Sequence, residues 1–147
     1  MKKECVFCTQ TEIQERIIYK NNLVFAFPTN IPITLGHTLI APVRCIASFD
    51  ELTTEEAKAL FSMRRRIADA LKKSFGANGF HFVWNEGAVA GQSVSHFHLH
   101  IVPRKKGDTG ITEYEPRTFL YRPGSREPSR ELSWFPRIRP VAGPNLS

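Results

Sequence analysis

Three histidines alternate with apolar residues in His96-Phe97-His98-Leu99-His100, and the run continues Ile101-Val102-Pro103-Arg104. In a β-strand successive side chains point to opposite faces, so this spacing predicts one face of imidazoles and one of Phe97, Leu99 and Ile101. Imidazole changes charge near neutral pH, and its neutral nitrogen serves as a nucleophile, a proton carrier or a metal ligand. A merely solvated face would carry Thr, Lys or Glu, and a core histidine needs only one satisfied partner. The chain holds 5 histidines in all, so the clustering points to an active site.

A second chemical signal is Cys5-Val6-Phe7-Cys8, with Cys45 as the remaining cysteine. Three thiols cannot all pair, and the C-x-x-C spacing suits metal binding or redox exchange. A redox pair opens a helix after a strand, and no strand precedes Cys5, so zinc is the better expectation. A third signal is the glycine-containing stretch Asn85-Glu86-Gly87-Ala88-Val89-Ala90-Gly91-Gln92-Ser93. Placed directly before the histidines, it is expected to bring backbone N–H groups to a phosphate.

The elements that must position these groups are legible in outline. Leu23-Val24-Phe25-Ala26-Phe27 reads as a buried strand ended by Pro28. Pro32 and Gly36 punctuate a loop, and His37 to Val43 reads as the next strand. Thr53-x-x-Glu56 is a capping box, Leu60, Met63, Ile67 and Leu71 recur at helical spacing, and Gly76 stops the run, so a helix spans about 54–75. Arg64, Arg65 and Arg66 point in different directions around that helix and are expected to be solvated. Gly79 to Trp84 is a further strand. Beyond Arg104 the chain is rich in proline and arginine and lacks periodicity, so an irregular extension is expected, anchored at Phe119-Leu120-Tyr121 and Trp134-Phe135.

At 147 residues the chain is long enough for one well-cored domain, and its 41% hydrophobic and 23% charged content is that of a globular protein. No apolar run is long enough to cross a bilayer, and the start lacks a signal peptide's apolar segment, so a cytoplasmic location is expected. The formal net charge of +6 favours anionic ligands. The basic residues form no long block interleaved with aromatics, which argues against nucleic acid.

Taken together these segments resemble the histidine triad, or HIT, superfamily. The resemblance rests on His96 to Val102, Cys5 to Cys8, Gly36-His37-Thr38-Leu39-Ile40-Ala41-Pro42, Leu52-Thr53-x-Glu55-Glu56, Asn85-Glu86-Gly87 and Gly91-Gln92-Ser93-Val94, in order. It implies an α+β fold over residues 1–106, an antiparallel sheet with one main helix packed on it, followed by the extension at 107–147. It also implies a homodimer. The expected activity is hydrolysis or transfer at the α-phosphate of a purine nucleotide, expected to contain adenosine, with no organic cofactor. His98 would be the nucleophile, with His100 and His37 beside it. Asn85, Gln92 and Ser93 would contact ribose, phosphate or bridging atom. Thr29, with Asn30 beside it, stands where many relatives have an acidic or amide residue for the ribose. Phe27, with Phe7, Phe25, Ile31 and Leu39, is a candidate for the base pocket. Some bacterial relatives hold structural zinc at positions that are Cys5, Cys8, Cys45 and His96 here, with cysteine where the third ligand is usually histidine.

Two leaving-group classes stay open, because the Asn-Glu-Gly and Gly-Gln-Ser-Val segments resemble phosphoramidate-cleaving relatives and Pro103-Arg104 the dinucleoside polyphosphate hydrolases. Two other classes of function compete: a zinc-dependent hydrolase with the triad histidines as metal ligands, and a nucleotide-binding dimer without turnover.

Overall fold

The computed structural model describes residues 4–108; the expectations for the extension lie outside the described residues from 109 onward. Two short helices open the described chain, α1 (Val6–Thr9) and α2 (Thr11–Glu15). Strands β1 (Tyr19–Lys20), β2 (Val24–Pro28) and β3 (Thr38–Pro42) follow, then the long helix α3 (Thr54–Phe75), β4 (Gly79–Val83) and β5 (Leu99–Arg104). The strands form an antiparallel sheet in the order β1-β2-β3-β5-β4. This is the α+β architecture expected.

Alternation along the strands divides the core in two. Val24, Ala26, Ile40, Leu99 and Ile101 face α3 and pack against its Leu60, Met63, Ile67 and Leu71. Phe25, Phe27, Leu39 and Ala41 face the other way and are covered by Phe7 of α1 and Ile13 of α2. The pairing of Leu39 with His100 places the histidine on this second face. One side of the sheet thus carries the helix and the other carries the chemistry.

The helix ends where its capping residues dictate. Thr53 Oγ1 accepts the Glu56 N–H at 3.1 Å, Glu56 Oε1 accepts the Thr53 N–H at 2.9 Å, and Gly76 closes the helix in the left-handed region at φ 65°. Such a cap stabilises by about 1 kcal/mol. Each buried leucine or isoleucine contributes about 1.5–3 kcal/mol, so packing on the sheet dominates. Glu56 also takes Arg44 at 2.7 Å, tying the segment after β3 to the start of α3.

Two expectations change. The strand bearing the histidines begins only at Leu99. β3 stops pairing with β5 beyond Ile40, and Phe97 N–H instead donates to the Ile46 carbonyl at 2.6 Å. His96, in a bend, and His98 therefore lie in an irregular lead-in to β5, while Phe97, Leu99 and Ile101 keep their place in the α3-side core. Second, two of the three arginines of α3, Arg65 and Arg66, are exposed as expected, but Arg64 and Arg66 also make surface contacts. Arg64 lies over the Phe82 ring at 4.7 Å, and Arg66 donates to the Tyr19 hydroxyl at 2.9 Å.

The Arg44 guanidinium bonded to Glu56, together with the Thr53 N–H, holds the Glu56 carboxyl down from 4.5 to about 2. A carboxyl depressed in the folded state stabilises fully above its unfolded pKa and loses that contribution as pH falls through the folded one. The urea midpoint of the parent should therefore exceed that of Glu56→Gln by a constant margin above pH 4.5, and the margin should close between pH 4.5 and about 2. A margin unchanged across that window contradicts the assignment.

Candidate functional site

Four histidines meet on the second face of the sheet, and a backbone group fixes the ring of three of them directly. His98 Nδ1 lies 2.8 Å from the carbonyl oxygen of His96. A carbonyl only accepts, so Nδ1 carries the proton and Nε2 is left with its lone pair. Burial pushes the His98 pKa below 6.5, against a smaller upward pull from that carbonyl. At neutral pH the ring is thus neutral, with one defined nucleophilic nitrogen.

His37, at the entry to β3, is read by a backbone donor. The Ile33 N–H points at its Nδ1 at 3.1 Å, so that nitrogen is the acceptor and Nε2 carries the proton. His37 Nε2 lies 2.9 Å from His100 Nδ1 and donates to it, which leaves His100 protonated on Nε2. Burial, then the proximity of His98 and His37, pushes His100 down to about 4, and burial lowers His37 as well. The ring centroids of His98 and His100 are 4.9 Å apart. The site thus presents a lone pair on His98 Nε2 beside an N–H on His100 Nε2. Chemically, that pairing suits an electrophile bonded to an anionic oxygen, with the lone pair for the one and the N–H for the other.

The first triad histidine shares that face but turns its nitrogens to other partners. His96 is fully buried, its Nε2–H donates to the Pro42 carbonyl at 2.7 Å, and its bare Nδ1 lies 3.2 Å from Cys5 Sγ and 3.6 Å from Cys8 Sγ. With Cys45 the four ligand atoms lie within 4.8 Å of one another. A tetrahedral zinc ion with Zn–S near 2.3 Å sets its ligand atoms about 3.8 Å apart, so the donor set fits. The carbonyl bond that fixes the ring is the outer support a ligating histidine needs. Desolvation and the neighbouring Cys5 and Cys45 thiols push the Cys8 thiol up to about 12.

The two centres share a wall. Phe7 lies between Cys5 and Cys8 on α1, and its ring meets His98 edge-on at 5.0 Å, His96 at 5.5 Å and Phe27 at 5.4 Å. Phe7, Phe25, Phe27 and Leu39 are all buried, whereas Ile31 is 81% exposed. Of the base-pocket candidates, only Ile31 is open to a ligand in this arrangement.

The other expected contacts are placed as follows. Gln92 Oε1 accepts the Gly87 N–H at 2.8 Å and its Nε2 donates to the Ala47 carbonyl at 2.9 Å, so its amide closes the loop. The N–H groups of Ala90, Gly91 and Gln92 also bond within that loop. The amides of Gly87, Ala90, Gly91 and Gln92 are thus spent within the loop, and Gly87 and Gly91 serve the turn with φ near 82° and 90°. Asn85 lies half-buried beneath Gly91. Ser93 lines a cavity of about 280 Å³ with Cys5, Cys45 and Ser95. Thr29 Oγ1 accepts the Ile31 N–H at 3.3 Å, and Asn30 is exposed. The Ile33 amide, the Pro42 carbonyl and the ring contact of Phe7 with His98 went unread in the sequence. Only the position of Phe7 between two cysteines offered a signal for any of them.

Comparison with known proteins places this geometry. The family model described as HIT domain matches residues 10–107. A bis(5'-nucleosyl)-tetraphosphatase [asymmetrical] from Schizosaccharomyces pombe is 34% identical over 108 residues, covering 74% of this chain and 59% of that protein. A crystal structure of a HIT-family member from Bacillus subtilis superposes with TM-score 0.70 at 35% identity, covering 82% of this chain and 88% of the other. A zinc-bound histidine triad protein from Mycobacterium smegmatis gives TM-score 0.65 at 30% identity, covering 77% and 84%.

Gly36, which turns the chain into His37, is the most constrained backbone position beside the site. Its φ is 93°, and an added Cβ would lie 3.0 Å from Leu71 Cδ2 and 3.3 Å from both Phe75 and Pro103. Gly36→Ala should cost roughly 2–4 kcal/mol, from backbone strain plus overpacking. Urea denaturation measures it, and a loss under 0.5 kcal/mol, a threshold within the ordinary surface range, would contradict the reading.

Proposed function

The chain belongs to the HIT family, and on that footing we propose that it is a nucleotide hydrolase acting at an α-phosphate through a covalent bond to His98. The observation that carries this reading is the bond from His98 Nδ1 to the His96 carbonyl, which leaves Nε2 as the nucleophile. Nε2 attacks the α-phosphorus, the bond from phosphorus to the leaving group breaks, and the leaving group departs with the electron pair. Water then attacks the phosphorus of the nucleotidyl-histidine, the P–N bond breaks, and neutral His98 returns with release of a nucleoside monophosphate. His100 Nε2–H donates to a non-bridging oxygen, stabilising charge as the transition state forms.

The substrate class is a dinucleoside polyphosphate or a nucleoside phosphoramidate. The relative's name supports the former, and the Asn-Glu-Gly and Gly-Gln-Ser-Val segments the latter. Asn85, Ser93, Thr29 and Asn30 are proposed to contact sugar or phosphate, and adenosine is the proposed nucleoside. We place the protein in the cytoplasm, where its three cysteines stay reduced. Among the described residues no helix is long and apolar enough to cross a membrane. A homodimer is proposed through β4, whose Phe82 and Val83 are exposed together with Trp84 just beyond it.

Structural zinc is proposed at Cys5, Cys8, Cys45 and His96; when bound it cross-links α1, the segment after β3 and the triad. A zinc-dependent hydrolysis at the triad itself has less support. Among the described residues the cluster of donors that could hold a metal contains neither His98 nor His100.

Intact mass measured under denaturing, acid-free conditions during turnover of diadenosine tetraphosphate, and separately of an adenosine phosphoramidate, tests the nucleophile. The parent should gain a nucleotide-sized adduct and His98→Ala none, with activity lost by at least a hundredfold, the low end for removing a catalytic group. Turnover by His98→Ala at the parent rate would refute the reading. For the metal, elemental analysis should find stoichiometric zinc in the parent and much less in Cys45→Ser. Chelation should lower the melting temperature, with activity falling only as the protein unfolds. Immediate loss of activity in a still-folded protein would instead make the metal catalytic.

A further inference from the structure

The hydrogen-bond chain through His37 and His100 has a direction, and a single backbone amide sets it. Ile33 N–H donates to His37 Nδ1 at 3.1 Å, which forces the His37 proton onto Nε2 and, across the 2.9 Å bond to His100 Nδ1, the His100 proton onto Nε2. Without that donor, the His37 proton could move to Nδ1. His100 would then have to donate through Nδ1 and would present a lone pair, instead of an N–H, at Nε2.

The amide belongs to the loop between β2 and β3, and little apolar burial holds that loop. Ile31, Ile33 and Leu35 are 81%, 50% and 77% exposed. What fixes it is polar. Thr34 Oγ1–H donates to the Pro103 carbonyl at 2.8 Å, a tie spanning 69 residues to the strand that carries His100. The Thr34 carbonyl accepts the His37 N–H at 3.1 Å, and Thr29 N–H donates to the His37 carbonyl at 3.2 Å. Thr34 thus fastens the residue next to the critical amide to β5, three positions beyond His100 on the same strand.

We infer that Thr34 is a positioning residue, whose bond to the Pro103 carbonyl holds the Ile33 amide on His37 and so keeps a proton on the substrate-facing nitrogen of His100. The role of this proton in turnover rests on the reading above that His98 attacks an α-phosphate. The tautomer itself does not.

The test uses the full chain with 15N-labelled histidine rings, whose nitrogen shifts separate bare from protonated positions. The parent should show bare Nδ1 and protonated Nε2 at both His37 and His100. In Thr34→Val, similar in size but without the hydroxyl, both rings should shift toward averaged nitrogens. Its kcat on the better substrate should fall roughly three- to tenfold, the worth of one hydrogen bond, with KM unchanged. Thr34→Ser should restore both the ring pattern and kcat. Thr34→Ala repeats the measurement without the added methyl, should the valine fail to fold. A parent-like ring pattern in Thr34→Val or Thr34→Ala overturns the proposal, as does a Thr34→Ser variant as impaired as the valine. If His98→Ala proves active, the ring pattern still decides the role of Thr34 independently.

Discussion

The site depends on one constraint: a histidine ring has two nitrogens, and here a backbone group claims one of them on three of the rings. The His96 carbonyl takes His98 Nδ1–H, the Pro42 carbonyl takes His96 Nε2–H, and the Ile33 amide occupies His37 Nδ1. Because a carbonyl can only accept and an amide N–H only donate, each contact fixes which nitrogen is bare. His98 is left with a bare Nε2, His96 turns a bare Nδ1 toward three thiols, and His37 donates to His100, which keeps its own proton on Nε2. Burial keeps all four rings below their ordinary pKa, so these assignments hold at neutral pH.

The rest of the fold serves that constraint by fixing backbone. α3 covers one face of the sheet with Leu60, Met63, Ile67 and Leu71, and this locks the strands on which the carbonyls and amides sit. The other face is then free to carry side chains whose value is chemical. Phe7 joins the two centres there, since the one-turn helix that brings Cys5 and Cys8 to His96 also sets its ring against His98. Ordering of the thiol cluster and ordering of the His98 ring are therefore one packing problem.

Much of this was legible because it follows from short periods and local rules. The two-residue alternation put Phe97, Leu99 and Ile101 in the core and the histidines opposite, and the Thr53/Glu56 box with Gly76 set the ends of α3 at Thr54 and Phe75. The C-x-x-C, with Cys45 and His96, converges as the resemblance implied. What escaped was set by tertiary backbone geometry. The pairing of β3 with β5 stops at Ile40, so the ladder does not reach His98, and no residue type announces this. The Gly87–Gln92 loop spends four of its amides on its own carbonyls and on the Gln92 side chain, whereas composition alone suggested open donors. β1 is two residues long, too short to leave a period, and the tie from Thr34 to Pro103 joins positions that nothing in the chain relates.

The central claim is that the reaction passes through a bond from phosphorus to His98 Nε2. The stereochemistry at phosphorus tests it most directly. Two successive in-line displacements restore the original configuration, whereas direct attack by water inverts it. A dinucleoside polyphosphate made chiral at the α-phosphorus with sulfur should, after hydrolysis in 18O-water, yield the nucleoside phosphorothioate with retained configuration. Inversion would contradict the covalent intermediate and with it the role assigned to His98.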